Sequence, residues 1–102
     1  MENLYDLRDL PLTEELINTI VELPAVRIER IVSTGQTSDW YDQDEHEFAA
    51  LLQGNAALLY EDGSTVTLQK GDTLFLPAHK KHKVTFTSEN PPCIWLCVFF
   101  KP

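Results

Sequence analysis

Gly71-Asp72-Thr73-Leu74-Phe75-Leu76-Pro77-Ala78-His79-Lys80-Lys81-His82 is the stretch from which the architecture can be read. Lys70-Gly71-Asp72 is a turn, because glycine and aspartate accept backbone conformations that most residues resist. It leads into Thr73–Leu76, a short strand-forming run that Pro77 and Ala78 break. His82–Thr87 then alternates, with His82, Val84 and Phe86 on one face and Lys83, Thr85 and Thr87 on the other. A short strand, a bend and a second short strand are the texture of an all-β domain.

The pattern extends in both directions. Upstream, Thr65–Gln69 alternates after the turn Glu61-Asp62-Gly63, and Glu47–Leu52 and Ala56–Tyr60 flank Gln53-Gly54-Asn55, which reads as a hairpin. Residues 35–44 are polar and loop-like, and Val26–Ser33 is a strand with Val26, Ile28, Arg30 and Val32 on one face. Downstream, Ser88–Pro92 is a turn and Cys93–Phe100, apolar on both faces, is a buried strand. Seven short strands separated by turns predict a sandwich or a closed barrel. Residues 1–12 read as an extended arm closed by Pro11. Thr13 suits a helix N-cap, Glu14 and Glu15 suit the first turn, and Leu16, Ile17, Ile20 and Val21 follow at helical spacing. One short helix is therefore expected over residues 14–22, ended by Pro24. The expected division is an arm and helix over 1–24 and a β-barrel domain over 25–102.

The 102 residues, 43% of them hydrophobic, make one domain with its own core. Eight Lys and Arg stand against sixteen Asp and Glu, a net charge of -8, which repels phosphate backbones and argues against nucleic-acid binding. Lys80, Lys81 and Lys83 read as a solvated strand rim. Cys93 and Cys97 lie about 13 Å apart if extended, too far for a disulfide, and read as small buried hydrophobes of a reducing compartment. Met1–Arg8 is charged and lacks the apolar stretch of a signal peptide, and no apolar run nears the ~20 residues that span a bilayer. A cytoplasmic protein with no membrane partner is expected.

The turns and the residues around them resemble the cupin family, in particular its small single-domain members. In the first cupin motif a glutamate is followed after six residues by glycine, as Glu47 is by Gly54. The second motif is matched by Gly71, five residues, Pro77, Ala78, His79, two residues and His82, with His79 where glycine is usual. The motifs span roughly residues 35–86. The resemblance implies a small jelly-roll-type β-barrel. It also implies a metal site of four residues, in which two histidines precede the glutamate. Those two positions fall on Tyr41 and Gln43, poor ligands for a typical divalent ion. Glu47 and His82 remain, with His79 as a further donor if one divalent ion (Zn, Fe, Mn or Ni) is bound. His46, adjacent to Glu47, alternates to the opposite face.

The candidate site follows. Tyr41, Gln43, Glu45 and Glu47 share a parity that continues into Ala49 and Leu51. Arg30 lies on an apolar face, where an unpaired guanidinium is costly, so it needs a carboxylate, solvent or an anionic ligand. Glu47 and His82 are the candidate acid/base pair, and Arg30, Tyr41 and Gln43 the candidate ligand-binding residues. The expected function is binding of a small polar or anionic metabolite inside the barrel, with acid/base chemistry at Glu47 and His82. The alternatives are a metal-dependent enzyme of dioxygenase or isomerase type, and a structural or partner-binding barrel without a cavity. Open strand edges and small size also predict a homodimer.

Overall fold

The computed structural model describes residues 3–8 and 13–102, so the expected closure of the arm at Pro11 lies outside the described residues. Eight strands follow one another: β1 (Leu16–Leu23), β2 (Val26–Ser33), β3 (His46–Gln53), β4 (Ala56–Tyr60), β5 (Thr65–Leu68), β6 (Thr73–Leu76), β7 (His82–Thr87) and β8 (Cys93–Phe100). They form a five-stranded sheet in the order β1-β2-β8-β3-β6 and a three-stranded sheet in the order β5-β4-β7, with every named pair antiparallel. The two sheets pack face to face. Their edges are not joined by strand pairing into a closed barrel, so the expected barrel is corrected to an open two-sheet sandwich.

The expected helix over 14–22 is strand β1, hairpinned to β2 across Pro24 and Ala25. Ile17, Thr19, Ile20 and Val21 are all β-branched, a composition that favours the pleated surface. The helical spacing was produced by a bulge. Thr19 pairs with Glu29 and Val21 with Ile28, leaving Ile20 as the extra residue. That residue breaks the two-residue period and puts apolar side chains at positions 16, 17, 20 and 21.

Register across the five-stranded sheet sorts the side chains into rows. Glu29, Cys97, Ala49 and Leu74 are successive neighbours, as are Arg27, Phe99, Glu47 and Leu76, and then Ile31, Trp95 and Leu51. These rows face the three-stranded sheet. The core is built there from Leu51, Leu58, Leu68, Leu76, Trp95 and Phe99. On the other side Val21, Ile28, Val98, Phe48 and Phe75 form one row across all five strands. Face-to-face rows of this kind follow from the strict alternation of strand side chains.

Two further expectations change. Gln53-Gly54-Asn55 is not a hairpin, because β3 and β4 belong to different sheets. It is a crossover held by the 88–93 loop: Ser88 N–H donates to Asn55 O at 2.9 Å, and Asn55 N–H to Ser88 Oγ at 3.0 Å. Gly54, with φ of 92°, lets this contact close, since a Cβ there would lie 2.8 Å from Ser88 Oγ and 2.9 Å from Cys93 Cα. Phe86 does not share the inward face of His82 and Val84. Leu58 pairs with Val84 but Ala57 with Phe86, so Thr85 is an extra residue and Phe86 turns outward, 52% exposed.

Candidate functional site

A cavity of about 330 Å³ lies between the sheets, at the small end of the range for small-molecule sites. Tyr41, Gln43, Glu47 and His82 all line it. Glu47 enters from β3 and His82 from the start of β7, so the two motif residues that survive reach one enclosed space.

The bend after Pro77 organises the loop that carries Tyr41 and Gln43. Tyr41 and His82 form an antiparallel bridge, with Tyr41 N–H donating to His82 O at 2.7 Å and His82 N–H to Tyr41 O at 3.2 Å. His79 N–H donates to Gln43 O at 2.7 Å. Residue 79 has φ of 65°, the left-handed region, which accounts for glycine being usual there in cupins. The His79 ring is exposed, bonded through Nδ1 to Asp42 Oδ1 at 2.8 Å, and does not line the cavity. Its expected place as a metal donor is corrected: its backbone positions Gln43 instead.

His82 is 3% exposed, and its Nδ1 lies 2.8 Å from Lys80 O. A carbonyl only accepts, so Nδ1 carries a proton, and a neutral ring in this position presents Nε2 as its accepting nitrogen. Nε2 makes no hydrogen bond among the described residues. No fully buried side-chain nitrogen or oxygen among them lacks a partner, so Nε2 is reached from the cavity. The Tyr41 ring lies beside it, tilted by 33° with centroids 5.4 Å apart. Glu47 is 8% exposed and accepts from Gln43 Nε2 at 3.1 Å and from the Cys97 thiol. Burial raises its pKa, against the lowering effects of Gln43, Cys97 and the nearby His82. Burial, then the charge of Glu47, pushes Cys97 well above the usual thiol range, so it acts as a hydrogen-bond donor and not as a nucleophile.

Arg30 does not line the cavity, and its expected role there is corrected. It lies on the outer face, where Nε and Nη2 donate to Asn18 Oδ1 at 3.0 and 2.6 Å. Nη1 donates to the carbonyls of Leu4 and Asp6 at 3.1 and 2.7 Å. The guanidinium in the cavity is that of Arg27, one residue out of phase. It donates from Nε to Glu29 at 2.9 Å and from Nη1 to Glu45 at 3.1 Å, and lies 4.4 Å from the centre of the Phe99 ring. Glu15, Arg27, Glu29, Trp95 and Cys97 are among the cavity residues that sequence reasoning missed. β2 carries its apolar residues outward, which inverts the usual inside-outside reading, and β8 is apolar on both faces. His46 faces outward as expected, between the rings of Phe75 and Phe100, with its Nδ1 accepting from Ala78 N–H at 2.9 Å.

The donor set does not fit a typical divalent metal. Among the described residues no three of His, Cys, Asp and Glu converge as a metal site. Gln43 already spends an amide N–H on Glu47, and burial followed by the charges of Glu15 and Glu47 keeps the Tyr41 phenol protonated.

A family model described as a cupin domain matches residues 29–99. The chain is a member of the cupin family. Solved structures agree with that assignment. A candidate mannose-6-phosphate isomerase from Ralstonia eutropha JMP134 is 30% identical, with a TM-score of 0.94 over 100% of this cupin and 98% of that chain. A cupin superfamily protein from Desulfitobacterium hafniense DCB-2 is 21% identical, with a TM-score of 0.78 over 99% of this cupin and 97% of that chain. A DMSP lyase from Ruegeria pomeroyi DSS-3 is 16% identical, with a TM-score of 0.73 over 84% of this cupin and 46% of that chain, a likeness of fold. No curated protein is similar enough in sequence to match this cupin.

Proposed function

We propose that this cupin binds a small polar metabolite between its sheets and moves a proton on it between Glu47 and His82, without a resident divalent metal. The observation that carries the reading is that the two groups line one cavity. The Lys80 carbonyl fixes the His82 ring through Nδ1 and leaves Nε2 to the cavity, while burial biases the Glu47 carboxyl toward its protonated form. No hydrogen bond joins them among the described residues, so a ligand between them meets a proton-transfer group on each side. That arrangement suits isomerisation next to a carbonyl. The Ralstonia relative, described as a candidate mannose-6-phosphate isomerase, supports the reaction class but not that substrate. Among the described residues the one guanidinium lining the cavity is already held by two carboxylates, so a phosphate dianion finds no free guanidinium among them. The reading of a filled structural barrel is disfavoured by the cavity itself.

Incubating the protein in D₂O with a panel of small aldoses, ketoses and hydroxy ketones tests this reading. Deuterium should enter one compound at the carbon beside its carbonyl, and His82→Asn should abolish the exchange. Absence of exchange, together with no change in the NMR signals of Ala49 or Leu76, sinks it. Elemental analysis of protein purified without chelator, beside His82→Ala, tests the metal-free claim. A stoichiometric divalent ion lost in the variant would overturn it.

We also propose that two copies associate through the outer face of the five-stranded sheet. The row Val21, Ile28, Val98, Phe48 and Phe75 holds no charge, and Phe48 and Phe75 are 39% and 52% exposed in a protein of net charge -8. A second copy supplies the same uncharged surface, as an isologous contact requires.

A further inference from the structure

We infer that the metabolite taken by this cavity carries a positive charge, that of a protonated amine. The inference rests on the ligand-site reading above and adds the charge of the ligand. Among the described residues three carboxyl groups, those of Glu15, Glu29 and Glu47, line the cavity against one guanidinium, that of Arg27. Arg27 is matched twice over, by Glu29 at 2.9 Å and by Glu45 at 3.1 Å. Glu15 accepts from the Ser33 hydroxyl at 2.9 Å, a neutral donor.

Glu47 is the deciding group. It is more than nine-tenths buried, yet among the described residues it makes no ion pair, and its donors are the neutral Gln43 amide and Cys97 thiol. Register puts it two strands from Arg27, on the far side of Phe99, a span of roughly 9–10 Å. Arg27 makes no ion pair with it and is held instead by Glu29 and Glu45. A buried carboxyl without a cation is costly when ionised, and a ligand ammonium would relieve that cost. Nε2 of His82, reached from the same space, accepts a hydrogen bond and so matches an N–H donor. An entering carboxylate or phosphate would instead meet excess negative charge at close range.

Three ligands of one shape test the idea on the wild-type protein: cyclohexylmethylammonium, cyclohexylmethanol and cyclohexanecarboxylate. Each is titrated while the NMR signals of the Trp95 indole and the Leu76 and Val84 methyls are followed. The ammonium compound is expected to bind at least tenfold more tightly than the alcohol, and the carboxylate least. Glu47→Gln is expected to erase the gap between ammonium and alcohol by weakening the ammonium compound at least tenfold. If the alcohol or the carboxylate binds as well as the ammonium compound, the charge inference is overturned and the ligand-site reading survives. If none of the three shifts the cavity signals, both fall together.

Discussion

At Glu47 the burial of one side chain sets a stability cost at the group proposed to move a proton. Its pKa is raised by burial above the ordinary carboxyl value of 4.5. Between that value and the raised one, the folded state holds more protons than the unfolded state, so stability falls as pH climbs through the interval. Glu47→Gln should remove that part of the fall and leave the variant more stable at pH values above it. The gain is about 1.4 kcal/mol for each unit by which the folded pKa is raised. Urea unfolding of both proteins across a pH series checks this, and parallel profiles would contradict it. Gly54 makes a second prediction of the same kind. Its positive φ and the 2.9 Å approach to Cys93 Cα leave no room for a methyl group against backbone. Gly54→Ala should cost roughly 2–4 kcal/mol, combining overpacking with left-handed strain, and a thermal melt would show it. Both residues stand out in the sequence through motif spacing. Cys97 does not, because a cysteine in an apolar strand carries no sign of which face meets a carboxylate.

Bulges decide much at the level of elements. The extra residue in β1 disguised a strand as a helix, and the extra residue in β7 turned Phe86 away from the core. Neither is visible in a two-residue period, since a bulge is where that period fails. β1 also carries Asn18, which accepts from Arg30, while Arg30 in turn holds the carbonyls of Leu4 and Asp6. The segment over residues 3–8 is thus tied to the sheet by the Arg30 guanidinium, together with Tyr5 Oη, which donates to Leu52 O at 3.5 Å. Arg30→Ala should raise hydrogen exchange over residues 3–8 strongly while lowering global stability by only about 1–3 kcal/mol, since charge-assisted hydrogen bonds are lost at a partly exposed site. Unchanged exchange in that segment would show that other contacts hold it.

On the scale of the whole molecule, the sandwich has two apolar faces to cover and only three strands in the second sheet to cover one of them. The inner face meets β5-β4-β7, and the outer one leaves Leu23, Phe48 and Phe75 exposed. Light scattering at micromolar concentration should give twice the 11.7 kDa subunit mass. Phe48→Glu combined with Phe75→Glu places like charges across the proposed two-fold contact, at a cost on the order of 3 kcal/mol or more, and should give one subunit's mass. A wild-type protein already at one subunit's mass would refute the dimer.

The chain by itself determined that the domain is built of short antiparallel strands and turns, that it belongs among the cupins, and that Tyr41, Gln43, Glu47 and His82 line one cavity. Those properties reside in local spacing, which turn chemistry and strand alternation translate directly. Only the tertiary structure decided which face of β2 looks inward, and hence that Arg27 and Glu29 meet the cavity while Arg30 holds the N-terminal segment. Alternation assigns a residue to one of two faces; what covers each face is settled by strands far away in sequence, and here the more apolar face of β2 is the one turned outward.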